Sequence, residues 1–121
     1  METKLYSIYY YIDERGNNPV KDFINSLSLK EQAKVFAYIV ELKNQGHRLR
    51  RPIADYLRDG IYELRPKKNR IFYFFFLKGI AVLVHAIIKK TAKVPERDIE
   101  LCLKRREQME KELNNLEKLE I

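Results

Sequence analysis

Residues 60–90 read GIYELRPKKNRIFYFFFLKGIAVLVHAIIKK, and this stretch decides the architecture. Ile61–Arg65, Arg70–Leu77 and Ile80–Ile88 are rich in β-branched and aromatic residues, which suit a pleated surface. Pro66-Lys67-Lys68-Asn69 reads as a turn, and Lys78-Gly79 as a two-residue hairpin link. Three strands joined this closely meander in order and pair antiparallel. Runs as continuously apolar as 71–77 and 80–88 fit strands covered on both sides or nearly so. Neither run approaches the roughly 20 residues a membrane span needs, and Lys78-Gly79 separates them.

Upstream of the meander, His47–Leu57 reads as a basic loop ended by Asp59-Gly60. Before it, Leu5–Ile12 is strand-like and Asp13–Asn18 is a polar turn. Asn18-Pro19 is a helix start, with Asn as N-cap and Pro at the first position, and the helix runs to about Ser26. Ser28-Leu29-Lys30-Glu31 has capping-box form and opens a longer helix to about Gln45, with Gly46 placed for a left-handed C-cap. Its apolar stripe is Val35, Phe36, Ile39, Val40 and Leu42.

Downstream, Thr91–Pro95 links to a helix with Glu96 and Asp98 at its positive end. Its stripe is Ile99, Cys102 or Leu103, Met109, Leu113 and Leu116, which extends it as far as Glu117. The expected order is β-α-α-β-β-β-α. This is an α+β fold, a small twisted, mainly antiparallel sheet with helices packed on one face. At 121 residues the chain is one domain, 1–121, with 107–121 an extension of the last helix.

Composition removes several classes. Hydrophobic residues at 45% supply a core, which excludes disorder. The single cysteine, Cys102, excludes a disulfide scaffold and suits a reducing, cytoplasmic setting. No secretory signal is visible in Met1–Asp13. Phosphate-loop, dinucleotide-binding and G-x-S-x-G motifs are missing, and one Cys with two distant His residues makes a structural zinc site a poor expectation. No metal and no small-molecule cofactor are expected.

Charge is the informative number. The chain carries net +7. Residues 47–94 hold twelve basic and three acidic residues, net +9, so the middle carries all of the excess. Either a polyanion, nucleic acid first, or a solvated basic face explains it. Alternation along the strands puts Glu63 and Arg65 on one face. Arg70 opens the partner strand across from Arg65 or one step along, and Lys89-Lys90 close the third strand. Convergence of these five would suit RNA cleavage without a metal. In that reaction the 2′-hydroxyl attacks phosphorus, cations hold the phosphorane and an acid protonates the leaving 5′-oxygen. Glu63 is the candidate base. The alternatives are a plain Glu63–Arg65 ion pair, a solvated Arg70 and a lysine pair that only marks the strand's end. His85, in an apolar strand, reads as a buried hydrogen-bonded histidine or a catalytic one. Arg48, Arg50, Arg51, Arg58, Lys67, Lys68 and Lys93 are candidate RNA contacts.

Gly60–Arg65, Arg70–Phe74, Leu83–Thr91 and Pro95 together resemble the phage-derived HigB-like branch of the RelE/ParE toxin superfamily, over roughly residues 4–106. The resemblance implies a toxin of a type II toxin–antitoxin pair that cleaves mRNA in the ribosomal A site. It implies a small cognate antitoxin as partner, often with a helix-turn-helix domain, alongside mRNA and the ribosome. Arg65, Arg70, Lys89 and Lys90 match the family's phosphate-holding positions, and Glu63 matches its acidic one. The chain departs from the wider pattern in having Lys67-Lys68-Asn69 where Gly is common, with Asn69 suited to the left-handed conformation. It also has Lys90 where RelE proper has arginine, and it lacks a tyrosine after Tyr73. A ParE-like inhibitor of a DNA topoisomerase, or an inactive binding or regulatory module of the same fold, remains the alternative.

Overall fold

The computed structural model of the protein describes residues 5–121; residues 1–4 of the expected domain lie outside it. Its elements are β1 (Ser7–Tyr11), α1 (Pro19–Asn25), α2 (Leu29–Gln45), β2 (Ala54–Arg58), β3 (Ile61–Leu64), β4 (Asn69–Phe76), β5 (Ile80–Ile88), α3 (Glu96–Lys111) and β6 (Leu116–Lys118). The six strands form one sheet in the order β2-β3-β4-β5-β1-β6. All neighbours are antiparallel except β1 and β5, which run parallel from Ser7↔Ile80 to Tyr10↔Leu83.

The expected meander is β3-β4-β5. Its second link is longer than expected. Phe76 pairs with Ile80, so three residues turn the chain, with Leu77 and Gly79 both at positive φ. The expected α+β class holds, but the element order does not: two further strands flank the sheet. The segment read as a basic loop contains β2, because Asp59-Gly60 does more than end it. Both residues have positive φ, +49° and +82°, the backbone of a tight hairpin that folds Ala54–Arg58 back onto β3. Tyr56 meets Tyr62 edge-on across that hairpin, ring centroids 4.9 Å apart.

The second extra strand replaces the expected helical extension over 107–121. The last helix stops at Lys111, and Glu112 is already extended. Asn115 then hydrogen-bonds Ile12 twice, donating from its side chain (2.7 Å) and accepting at its carbonyl (2.9 Å). This seats Leu116–Lys118 against β1. Leu113 and Leu116, read as helix stripe, are respectively exposed and in the strand.

Helices cover both faces of the sheet, not one. Val20 and Ile24 of α1 and Val35, Ile39 and Leu42 of α2 pack with Ile8, Leu64, Ile71, Tyr73 and Leu83. Ile99, Cys102 and Met109 of α3 pack on the opposite side with Ile61, Phe72, Phe74, Val82 and Val84. Strand alternation therefore sends Ile71 and Tyr73 one way and Phe72 and Phe74 the other. That is why the strand is hydrophobic at every position from Ile71 to Phe76. A bulge at Val84 shifts the β4–β5 register, so Phe72 faces His85 while Tyr73 faces Leu83.

The N-caps of α1 and α2 form as expected, whereas Gly46, at ψ −124°, ends α2 outside the left-handed helical conformation. The Asn18 side chain accepts from the Lys21 N–H, and Ser28 Oγ accepts from the Glu31 N–H. Gly46 has φ +54°, and a Cβ there would sit inside the Tyr6 ring, 1.8 Å from the nearest carbon. Glycine is therefore required on both counts.

Candidate functional site

The end of β3, the start of β4, the end of β5 and the loop before β2 all reach the same end of the sheet. The Arg65 N–H donates to the Ile53 carbonyl (2.8 Å) and the Lys89 N–H to the Lys68 carbonyl (2.7 Å), which ties these segments side by side. Four chain segments from the basic middle thus meet at one place.

Glu63, Arg65 and Arg70 meet on the α3 side of the sheet there. Glu63 is 2% exposed. Arg65 Nη1 donates to its Oε2 at 2.5 Å, and Arg70 Nε lies 3.7 Å from its Oε1. The last distance is beyond hydrogen-bond range, so Oε1 and Nε face each other without a partner. Arg70 is itself buried, 7% exposed, and its Nη1 donates to the carbonyls of Lys67 (2.6 Å) and Asn69 (2.8 Å). Burial pulls the Arg70 guanidinium below its ordinary pKa. Glu63 opposes that shift, while Arg65 and then Arg51 reinforce it.

These contacts alter the expected roles. A carboxylate that is 2% exposed and held by Arg65 is placed to orient cations, not to reach a 2′-hydroxyl. Arg70 clamps the β3–β4 turn: it binds the carbonyl of Lys67 within the turn and that of Asn69 at the first position of β4. In that turn Lys67, not Asn69, takes the left-handed conformation, with φ +57°, while Asn69 begins β4 opposite Ile88. Arg65 keeps 18% of its side chain open and is the arginine of the pair that faces outward.

The remaining candidates divide. Lys67 and Lys68 are exposed on the turn, and Lys89 is half-buried beside them. Lys90 is exposed and lines a small cleft with Pro95, Arg97 and Asp98. Arg51 is exposed and pairs with Asp55 at 2.9 Å. Arg50 donates to the carbonyls of His47 and Leu49, so it braces its own loop. Arg48 and Lys93 are exposed on loops. Arg58 stands apart at the far end of β2, paired with Asp59 and Glu96.

His85 lies beside Phe72, their rings stacked at 5.5 Å. Its Nε2 meets Asp98 Oδ1 at 2.9 Å, and Arg105 Nη1 lies 3.5 Å from Nδ1 while donating to the Val84 carbonyl at 2.9 Å. Both ring nitrogens thus have neighbours that fasten α3 to β5. Burial lowers the His85 pKa first, Asp98 opposes, and Arg105 lowers it further. The sequence reading names Asp98, Glu31 and Asn69 only as helix-end, cap and turn residues and does not name Arg105; the contacts His85–Asp98, His85–Arg105 and Glu31–Asn69 were not foreseen. The partners lie 13 to 38 residues apart, and no spacing rule announces them. Among the described residues, no three His, Cys, Asp or Glu side chains group so as to hold a metal ion, and no helix is long and apolar enough to cross a membrane.

No curated protein matches the chain. Residues 22–107 match the family model described as phage derived protein Gp49-like (DUF891). The match takes in α2, the whole meander with β2, and most of α3. With more than two thirds of its length matched, the chain belongs to the phage-derived Gp49-like (DUF891) family.

Proposed function

We propose that the protein is the toxin of a type II toxin–antitoxin pair, a ribosome-dependent mRNA endonuclease of the cytoplasm. The observation that carries this reading is the gathering of Arg51, Arg65, Lys67, Lys68, Arg70 and Lys89 at one sheet end around a single buried carboxylate. The resemblance to the HigB-like branch of the RelE/ParE toxins supports the same reading. In it, Arg65 holds the scissile phosphate through its planar donors, while Glu63 and the Arg70-clamped turn keep that guanidinium aimed. Lys89 and Lys90 neutralise the phosphorane; the attacking 2′-hydroxyl gives up its proton to solvent water, and one of the two ammonium groups protonates the leaving 5′-oxygen. Lys67 and Lys68 draw in the RNA backbone. A cognate antitoxin covers the basic end until the toxin is released.

Burial of Glu63 and Arg70 favours a second reading, a module that binds nucleic acid without cutting it. A cell-free translation reaction separates the two. Purified protein is added, and mRNA 5′ ends are mapped by primer extension. New ends inside the translated region, present only with ribosomes, are expected. Intact mRNA and undiminished translation overturn the nuclease reading, and a DNA supercoiling assay then tests the topoisomerase alternative.

A further inference from the structure

On the opposite side of the β3–β4 turn from Glu63 lies a cleft of about 660 Å³ between that turn and the first turns of α2. This is the size range of small-ligand sites. Its rim carries four lysines, Lys30 and Lys34 from α2 and Lys67 and Lys68 from the turn. All four are exposed, and Glu31 is the one carboxylate among the lining residues. The rim is therefore cationic and suits a phosphate.

The inner wall has different chemistry. Glu31 accepts from Ser28 Oγ (3.1 Å) and from Asn69 Nδ2 (3.2 Å). These two bonds, Asn69's first, hold the Glu31 carboxyl below its ordinary pKa. A carboxylate has about four acceptor sites and here uses two, so each oxygen keeps a free lone pair. Asn69 is 2% exposed, and its Oδ1 has no partner, a buried acceptor beside the cleft. Pro66, largely buried, lines the cleft between rim and inner wall.

A ligand that fits carries an anion at one end and a flat edge with adjacent N–H donors at the other. Among the nucleobases, guanine alone has two neighbouring donors, N1–H and N2–H, on one edge. Adenine, cytosine and uracil interleave a donor with an acceptor. We propose that this cleft binds a guanosine phosphate, with the base edge on Glu31 and the phosphate on the lysine rim. The site itself stands without the nuclease reading. Its occupant being a guanosine within an RNA strand rests on that reading, since Lys67 and Lys68 then serve one strand passing over the turn.

The test is calorimetric titration of the full chain with GMP and with AMP. A parallel titration uses two 2′-O-methyl RNA hexamers, one with a central guanosine and one all adenosine, which cannot be cut. A preference of about tenfold for guanosine is expected in at least one pair. A preference seen only in the hexamers assigns the occupant to a strand, and one seen with GMP assigns it to the free nucleotide; both uphold the site. Lys34→Glu is expected to weaken the guanosine ligand about tenfold, and Glu31→Gln to erase the guanosine preference. Thermal unfolding of each variant checks that it is folded. Equal binding of guanosine and adenosine ligands in both pairs overturns the proposal, as does full affinity in folded Lys34→Glu. Guanosine binding with no mRNA cleavage leaves the cleft assigned and sinks only the nuclease.

Discussion

Glu63 is the residue on which the basic end depends. It is buried between two guanidinium groups, and removing its charge leaves both cations without a counter-ion in a poorly hydrated place. Breaking a buried pair in this way typically costs about 3–5 kcal/mol. Arg65 retains some solvent, so Glu63→Gln is expected to lose about 3 kcal/mol in urea unfolding; a loss under 1 kcal/mol would show that the carboxylate is not the anchor. His85 gives a separate residue-scale prediction. Its pKa is lowered in the fold, so the unfolded chain takes up the proton first as pH falls. Its contribution is full above the unfolded value of about 6.5 and is lost as pH falls below that. Stability measured by urea midpoint should therefore decline from pH 7 to pH 5, and the decline should flatten in His85→Gln. A flat wild-type profile would contradict this. At this scale the same-face placement of Glu63 and Arg65 was legible from strand alternation alone. Their degree of burial was not, because it depends on Arg70 of the neighbouring strand and on the loop before β2, which the register brings against them.

At the scale of elements, the two strands absent from the expected order are both sheet edges, and each is short. Short edge strands carry weak hydropathy signals. Ala54-Asp55-Tyr56-Leu57-Arg58 holds two charges and reads as loop until the Asp59-Gly60 hairpin is recognised as a turn type. The β6 strand is harder. Leu113 and Leu116 continue the helical period of α3, and only Asn115, bonded to Ile12 about a hundred residues away, shows that the chain has turned. The strand covers the outer edge of β1 and continues with the Leu119 N–H donating to the Ile8 carbonyl at 2.8 Å. Deleting residues 113–121 bares that edge. The truncated protein is expected to unfold at lower urea and to self-associate, seen as concentration-dependent light scattering. An unchanged midpoint and a constant molecular mass would show that β6 is dispensable. The N-caps of α1 and α2 and the limits of β5 were legible, because Asn18-Pro19, Ser28…Glu31 and Gly79 are local signals that tertiary contacts had no reason to override.

At the scale of the molecule, the fold turns a charge imbalance along the chain into a charge imbalance in space. The net +9 of residues 47–94 was visible in the sequence. Its concentration at one sheet end follows from the antiparallel meander, which brings alternate strand ends together. Not every basic residue joins: Arg58 sits at the other end and is paired. The Lys30 and Lys34 additions come from α2, outside the basic segment, and needed the structure to be found. The most direct test of the proposed activity is the rate of mRNA cleavage on programmed ribosomes, wild type against Arg65→Ala, with both proteins shown to be folded. Wild type should cut the bound mRNA, and Arg65→Ala should cut at least about a hundredfold more slowly. Cleavage by the variant at the wild-type rate would remove Arg65 and its buried anchor from the chemistry. No cleavage by the wild type would contradict the nuclease itself.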